Sequence, residues 1–370
     1  MDFSLTEAQH DLAGLTRDIL TGALTEQRRR EIETGPDRFD RALWGLLAEA
    51  GVLSAALPVE AGGAGYGLLE QCAVLAELGR AVAPVPYLES ITVAASTIAA
   101  FGTARQRDRW VRPAAAGELV LTAALAEDTG AEPTGAARSD GRWWLSGAKT
   151  TVPAGPFADV FLVPADTGQA GPAVFLVTPS DPGVTVRGQE LVDGTGAAVL
   201  ELDEVGLDDD RLLGEPGAGP RIADRLAALA TIGLCAVQLG VAERALELTA
   251  EYARQRVQFD RPIGTFQAVA QRLADGYTDV EAIRLTLWQA AWRVADGLPA
   301  ALETATAKFW AADAGHRVAH TAVHVHGGVG IDKEYPLHRY FVAAKRNEFS
   351  LGGATAQLRR IGSVLAAEPA

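Results

Sequence analysis

The first hundred residues alternate hydrophobic and polar positions with helical spacing. Apolar side chains recur every three or four residues in FDRALWGLLAEAGVLSAAL and GLLEQCAVLAELGRAV, which is the period of helices with one buried face. Ser4 and Glu7 fit a capping box for the first helix. Glycine and proline residues between these segments indicate turns. The pattern therefore predicts a helical N-terminal domain over residues 1–118.

Near Leu119 the pattern changes to short β-rich runs. Segments such as LVLTAAL, RWWLSGAKTTV and PAVFLVTP are separated by Gly, Pro and Asp, as is typical of strands joined by turns. They predict a middle β-barrel or sandwich domain over residues 119–216. Two long helical stretches, beginning at Arg221 and Gly264, predict a C-terminal antiparallel four-helix bundle over residues 217–370. The predicted fold class is therefore α+β and multidomain.

Charge and cysteine content narrow the functional classes. The 370-residue chain has a formal net charge of −14 and a pI near 4.9, so its surface as a whole repels nucleic acid and anionic lipid. Cys72 and Cys235 lie in apolar segments, which is typical of free thiols in a reducing compartment. The acidic N-terminus does not resemble a signal peptide, and no membrane-length apolar run is free of charge and glycine. We expect a cytoplasmic location.

Two segments carry the chemistry of a flavin-nucleotide site. In RVQFDRPIGTFQ, the guanidinium of Arg256 stands near an amide, Gln258, and a ring, Phe259. A guanidinium can donate two parallel hydrogen bonds to a pyrophosphate, and an aromatic ring can pack on an adenine or flavin face. In HVHGGVG, Gly327 and Gly328 lack Cβ, so the backbone N–H groups can approach a ligand closely. The open alternative is that the arginines of this region, Arg254, Arg256 and Arg261, form an ordinary solvated helix end.

The domain order and several motifs resemble the acyl-CoA dehydrogenase family over essentially the whole chain. The segments that carry the resemblance are MDFSLTEAQHDL, ELGRAVAPVPYLES, LLGEPGAG, RVQFDRPIGTFQ and HVHGGVGIDKEYPLHRYFVAAKR. The resemblance implies an FAD-dependent oxidoreductase that desaturates an acyl-CoA thioester and passes electrons to an electron-transfer flavoprotein. It also implies a dimer-of-dimers tetramer in which FAD lies across a subunit interface.

The resemblance assigns the part of the FAD site that one subunit lends to its neighbour. One position departs from the family pattern, because many relatives carry glutamine where this chain has His324. An imidazole can still donate to a phosphate or adenosine oxygen. The assigned cofactor-binding residues are Arg256, Gln258, Phe259, Phe266, Gln267, His324, Gly327 and Gly328.

The catalytic base of the family is absent from both positions that the resemblance gives for it. Gly353, in LGGATAQLRR, and Ala230, on the first long bundle helix, occupy these positions. Neither residue can accept a proton. The nearest carboxylates, Asp224 and Glu348, are interpreted as solvated charges rather than displaced bases. No catalytic residue is therefore predicted.

The β segment that holds the flavin in relatives also departs from the family pattern. In GAKTTVPAG, Thr151 and Pro153 replace a Trp and a Thr that contact the flavin, and the upstream loop keeps only part of its pattern at Ala126–Asp128. These losses coincide with intact residues for the neighbour's FAD. This combination indicates a specialised subunit rather than general decay.

The chain is therefore similar to the Glu-lacking, FAD-anchoring subunits of actinobacterial heterotetrameric (α2β2) acyl-CoA dehydrogenases. The expected partner is a homologous subunit that carries the catalytic glutamate, and the expected substrate is a bulky acyl-CoA such as a steroid side-chain thioester. Two alternatives remain open. One is a catalytically silent acyl-CoA-binding or scaffold protein, and the other is a homotetrameric dehydrogenase with a displaced base.

A metal site is the remaining alternative for the histidines. His316, His320 and His324 share one helix face at a spacing of four residues, which can ligate zinc. No cysteine accompanies them, and no carboxylate lies at the usual signature spacing. We interpret them as a packed helix face and predict no metal.

Overall fold

Helices make up the first part of the chain. The computed structural model describes residues 5–35, 38–168, 171–215 and 217–367. The first helix begins at Glu7 with a capping box of Thr6 and Gln9. The observed cap is Thr6, so the predicted cap of Ser4 with Glu7 is wrong. The capping pattern occurs twice in the sequence, two residues apart. Ser4 itself lies outside the described residues. The helices are α1 (Glu7–Ala23), α2 (Glu26–Glu33), α3 (Arg41–Glu49), α4 (Leu68–Ala81), α5 (Ser96–Phe101), α6 (Ala104–Gln106) and α7 (Arg112–Ala115), with π-helical turns at Leu88–Ala95 and Arg107–Val111.

The middle of the chain forms one mixed sheet. Its strands are β1 (Leu121–Ala123), β2 (Gly135–Ser139), β3 (Arg142–Pro153), β4 (Val160–Asp166), β5 (Pro172–Val177), β6 (Val184–Glu190) and β7 (Gly196–Leu207). Their order is β1-β4-β2-β3-β7-β6, with β5 paired to β4. Strands β1 and β2 run parallel to β4, and the other pairs are antiparallel. Phe161 and Phe175 are fully buried in the core of this sheet.

The last part of the chain is a helical bundle. Its elements are α8 (Gly219–Gln255), β8 (Val257–Gln258), β9 (Arg261–Pro262), α9 (Gln267–Ala295), α10 (Ala301–His326), α11 (Leu337–Phe349) and α12 (Ala354–Ala367). A 3-10 turn, Gly327–Ile331, follows α10. The succession of helices, sheet and helical bundle confirms the predicted fold class.

Contacts between Cα atoms group the chain into two compact units. The first contains the described residues up to Leu24, Leu68–Ala83 and the described residues from Thr231 onward. The second contains the described residues of Thr25–Gly67 and Pro84–Ala230. The three predicted domains divide the chain by sequence, and their boundaries stay a prediction.

Within the first unit, α4 and α8 pack at very short range. A Cβ on Gly79 would lie 2.1 Å from the carbonyl oxygen of Val237, and a Cβ on Gly240 would lie 1.9 Å from that of Ala76. Both glycines are therefore required by the close approach of two backbones. This packing fixes the part of α8 that leads to the Arg256 segment.

Helix α8 has the length and hydropathy of a membrane span, with a mean hydropathy of 1.7 over its most apolar window. However, 72% of that window is buried inside the fold. A single apolar helix buried in this way is typical of the core of a helical bundle. The sequence analysis predicted this helix as part of the bundle, and Gly233 and Gly240 interrupt its apolar stretch.

Candidate functional site

The Arg256 segment forms a tight hairpin directly after α8. The backbone N–H of Arg256 donates to the carbonyl of Tyr252 at 2.8 Å, and the N–H of Ile263 donates back to the carbonyl of Arg256 at 2.8 Å. At the turn, Phe259 and Asp260 have φ angles of 52° and 64°. A two-residue hairpin of this type requires positive φ at both central positions. The turn thus fixes the Phe259 side chain at the hairpin tip.

Aromatic and cationic side chains cover this hairpin. The Phe259 side chain is 87% exposed, and its ring meets that of Phe266 edge-on at 6.2 Å. The guanidinium of Arg261 lies 4.3 Å from the centre of the Phe266 ring. A phenylalanine held outward by a left-handed turn gains no burial in this chain, so its ring is available to a ligand or another subunit.

Arg256 is exposed, and its side chain makes no hydrogen bond or ion pair among the described residues. Arg254, two residues earlier, is also exposed and also lacks a side-chain partner among the described residues. The amide nitrogen of Gln258 bonds only to the neighbouring carbonyl of Val257, at 2.9 Å. Gln267 is exposed at the first position of α9. The predicted polar side chains are therefore accessible to solvent, and most of them make no hydrogen bond or ion pair with other described side chains.

The predicted glycine turn ends α10. Gly327 has φ 65° and ψ −143°, a conformation close to the region that only glycine adopts readily. A Cβ on Gly327 or Gly328 would find no atom within 4 Å, so the backbone faces open space. His324 lies one turn earlier. It lines a groove of about 740 Å³ between α9 and α10, together with Arg272, which the sequence analysis missed.

Two residues that sequence analysis also missed bring these segments together. The rings of Tyr252 and His326 stack with centroids 4.3 Å apart. Tyr252 lies one helical turn before Arg256, and His326 directly precedes Gly327. The two predicted halves of the nucleotide site therefore lie side by side in one unit. The only sequence signal for the pair was an aromatic residue next to each motif.

Gly353, the first predicted position of the base, lies just before α12. Its φ is not in the left-handed region, and a Cβ built on it would meet its nearest atoms, Glu348 O and Phe349 Cδ1, at 3.5 Å and 3.8 Å. These are ordinary van der Waals distances. The backbone therefore does not require glycine at this position.

Buried polar side chains hold the backbone around Gly353. The amide nitrogen of Gln357, which is 1% exposed, donates to the carbonyls of residues 351 and 352 at 3.0 Å each. The ammonium of Lys308, which is fully buried, donates to the carbonyls of residues 347 and 348 at 3.1 Å each. Burial lowers the pKa of Lys308. Both side chains serve the fold of this segment.

The carboxylates nearest the two predicted positions of the base are Glu348 and Asp224. Glu348 accepts a hydrogen bond from Lys345 Nζ at 2.5 Å and lies 3.1 Å from His316 Nδ1. Burial alone would raise the pKa of Glu348, but hydrogen bonds from Lys345 and His316 hold that pKa below its ordinary value. Glu348 thus forms an ion pair with Lys345 and a contact with His316, and is not the solvated charge we expected. Asp224 is exposed, and Ala230 is buried.

The departures in the β domain lie on and beside β3. Thr151 has φ 47°, which is strained for a β-branched residue, and its N–H donates to Gln189 Oε1 at 2.8 Å. Pro153 is half-buried at the end of the strand. Glu127, in the loop that keeps part of the family pattern, pairs with the buried Lys149 at 2.5 Å. The retained part of this loop therefore serves the sheet.

The described residues contain no group of three or more His, Cys, Asp or Glu side chains placed to hold a metal ion. His316 and His320 stack on each other with centroids 4.2 Å apart. His316 also contacts Glu348, as described above. The prediction that the chain binds no metal stays a prediction.

Comparison with known proteins identifies the family. The model for the acyl-CoA dehydrogenase N-terminal domain matches residues 6–118, and the model for the C-terminal domain matches residues 217–366. Acyl-CoA dehydrogenase FadE27 of Mycobacterium tuberculosis is 52% identical over 378 residues, covering 100% of both chains. The chain belongs to the acyl-CoA dehydrogenase family.

Solved structures of this family include several that are similar along the whole chain. The ChsE4-ChsE5 complex from M. tuberculosis contains a chain that is 53% identical, with a TM-score of 0.97 and 100% of both chains covered. A variant of the Tcur3481-Tcur3483 steroid ACAD gives 43% identity, a TM-score of 0.90 and 98% coverage of both chains. Butyryl-CoA dehydrogenase from Megasphaera elsdenii gives 29% identity and a TM-score of 0.88, covering 99% of this chain and 100% of that one.

These comparisons confirm three predictions: the family, its α+β fold class and an oxidoreductase activity of the acyl-CoA dehydrogenase type. They also confirm FAD as the cofactor of the family. The roles assigned to individual residues stay predictions.

Proposed function

We propose that this chain is the FAD-anchoring, base-deficient subunit of a heteromeric acyl-CoA dehydrogenase that desaturates a bulky CoA thioester. One contrast carries the proposal. Among the described residues Arg256 has no side-chain partner and lies near an open glycine turn, whereas the position of the base holds Gly353. Each interface between this chain and a base-carrying partner would then contain one complete FAD site.

The exposed groups at the ends of α8 and α10 fit the adenosine diphosphate half of FAD. Arg256 can place two parallel N–H donors on the pyrophosphate, and Gln258 and His324 add further donors. The open Gly327–Gly328 backbone can present N–H groups to a phosphate, and the Phe259 ring can pack on a planar base. We call this set the nucleotide site: Arg256, Gln258, Phe259, Phe266, Gln267, His324, Gly327 and Gly328.

In the proposed reaction this chain binds and positions. FAD held by these residues would supply the hydride acceptor for the β-carbon of the thioester, and the reaction would also need a carboxylate to remove the α-proton. The hairpin and the glycine turn hold the nucleotide in place, which reduces the entropic cost of reaching the reactive geometry. Because Gly353 and Ala230 cannot accept a proton, that step falls to the partner. A missing base costs about 10²- to 10⁴-fold in rate, or about 3 to 5.5 kcal/mol, so a homo-oligomer should be nearly inactive.

Similarity to chains of two-component complexes supports a homologous subunit as the partner. One of these complexes is a steroid acyl-CoA dehydrogenase by name, which favours a steroid side-chain CoA thioester as the substrate. The proposed assembly is a dimer of dimers with an electron-transfer flavoprotein as acceptor. Cys72 and Cys235 are both buried free thiols, in keeping with the reducing cytoplasm.

Reconstitution tests the proposal directly. The chain is purified alone and together with a base-carrying acyl-CoA dehydrogenase subunit, and flavin absorbance and dye-linked dehydrogenation of a CoA thioester are measured. We expect flavin and turnover only in the mixture. Turnover by the lone chain would support the displaced-base alternative, and a complex without flavin would support the scaffold alternative.

Arg256→Ala provides the residue-level test in the assembled complex. Losing a charged contact to the pyrophosphate should weaken FAD binding by about 2 to 3 kcal/mol, or roughly 30- to 150-fold in Kd. Arg254→Ala is the matched control, because Arg254 also has no side-chain partner within the described part of the chain but lies outside the predicted set. It should change Kd by less than about threefold. Equal effects of the two variants would reduce the role of Arg256 to general positive charge.

A further inference from the structure

His326 is a buried titratable side chain that is not a member of the nucleotide site. It is 4% exposed, although the exposed Gly327 follows it directly. Its ring stacks on Tyr252, at the end of α8, with an interplanar angle of 25°. Its other neighbour is Tyr335, before α11, with ring centroids 5.3 Å apart. Three segments of the first unit therefore meet at this imidazole.

The hydrogen bonds of His326 select one tautomer. Nδ1 lies 2.8 Å from the carbonyl oxygen of Ala322. A carbonyl can only accept, so Nδ1 carries the proton. Nε2 of the neutral ring is then an acceptor, and the Tyr335 hydroxyl donates to it at 3.3 Å. Burial lowers the pKa of His326 and so favours this neutral form. The ring is fixed in rotation as well as in place.

The fixed ring is linked to both halves of the nucleotide site. On one side, the Tyr252 carbonyl accepts the N–H of Arg256 at 2.8 Å. On the other side, Gly327 begins the open turn with its glycine-type backbone angles. A rotation of the imidazole would therefore move the turn relative to the end of α8.

We propose that His326 is a positioning residue that holds the Gly327–Gly328 turn in register with Arg256, through its stack on Tyr252 and its hydrogen bonds to Ala322 and Tyr335. The inference rests on the proposed function and extends it to a side chain that does not touch the cofactor. Any apolar ring could fill the space between the two tyrosines. The two hydrogen bonds are what a histidine adds, because they set the orientation of the ring.

The test compares FAD with FMN in the apo complex of this chain and its partner. FMN carries the isoalloxazine but lacks the adenylate half that the nucleotide site is proposed to hold. His326→Phe keeps a stacking ring and loses both hydrogen bonds, and His326→Ala loses the ring as well. We expect the Kd for FAD to rise about threefold in the Phe variant and about tenfold in the Ala variant. The Kd for FMN should stay within about twofold in both variants.

A matched tyrosine pair serves if the His326 variants fail to fold. Tyr335→Phe removes the hydroxyl that bonds to His326, whereas Tyr340→Phe removes a hydroxyl that donates to the carbonyl of Arg80 on α4. Only the first should raise the Kd for FAD, by about twofold to threefold.

Two outcomes would overturn the inference. One is an equal loss of FAD and FMN affinity together with a lower thermal midpoint, which is the signature of a purely structural residue. The other is unchanged FAD affinity in every His326 and Tyr335 variant while Arg256→Ala still weakens FAD binding. If Arg256→Ala also leaves FAD affinity unchanged, the proposed function itself fails, so the two failures are distinguishable.

Discussion

Two glycine turns end helices in the C-terminal part of this chain, and glycine is present in them for different reasons. Gly327, after α10, has φ 65° and ψ −143°, a combination that residues with a Cβ avoid. Gly353, before α12, has no left-handed φ and has room for a Cβ. The first glycine satisfies a requirement of the backbone. The second only removes a side chain.

The polar groups around the two turns differ in the same way. Near the first turn, Arg256 has no partner among the described residues, and Phe259 is almost fully exposed. Near the second, Lys308 and Gln357 are buried and donate to backbone carbonyls. Groups at the first turn are available for binding, whereas those at the second stabilise the fold. Around Gly353 the backbone is therefore held by buried side chains, although Gly353 itself has no side chain.

The largest expected effect concerns the source of the base. In the assembled complex, Glu348→Gln and Asp224→Asn should each leave kcat within about twofold, because the proposed function assigns proton removal to the partner. Replacing the partner's catalytic glutamate by glutamine should lower kcat about 10²- to 10⁴-fold. Dye-linked turnover under saturating substrate measures both. A hundredfold loss in the Glu348 variant would break the comparison, since it would place a base in this chain.

A smaller effect, on the free energy of unfolding, distinguishes Lys308 from Arg256. Lys308→Ala leaves a cavity and two buried carbonyls without their donor, so it should lower the free energy of unfolding by about 2 to 4 kcal/mol. Arg256→Ala should change it by less than about 0.5 kcal/mol, because Arg256 has no partner to lose. Urea unfolding of the chain measures both, and Lys308→Met, which keeps most of the volume, separates the cavity from the lost hydrogen bonds. If Arg256→Ala proves the more destabilising, the assignment of structural and binding roles is reversed.

The smallest expected change in stability comes from the positive φ angle at the tip of the hairpin. Asp260 has φ 64°, so Asp260→Gly relieves left-handed strain and should stabilise the chain by up to about 1 kcal/mol. Asp275→Gly, in the interior of α9, should destabilise it by about 0.1 to 0.3 kcal/mol, which is the difference between the helix propensities of Asp and Gly. Thermal unfolding detects the opposite signs. Destabilisation by both would mean that the Asp260 side chain contributes more to the turn than its strain costs.

Local patterns were sufficient for the order of elements. Periods of two and of three to four residues depend only on neighbours along the chain, so the change from helices to strands near Leu119 could be predicted. The first helix cap could not, because two overlapping capping patterns, Ser4 with Glu7 and Thr6 with Gln9, both fit the sequence. Glu348 was misread because its contact with His316 joins α10 to α11 across a long stretch of sequence.

Residue identity alone established that no carboxylate occupies positions 230 and 353, and that an arginine, a glutamine and two glycines stand in the motifs predicted to bind a nucleotide. The fold decided that these motifs meet through Tyr252 and His326, and that the backbone at Gly353 would accept a side chain. Both facts depend on contacts between residues far apart in the chain and on dihedral angles, which no local pattern encodes. The difference lies between chemistry, which each residue carries with it, and proximity, which only packing creates.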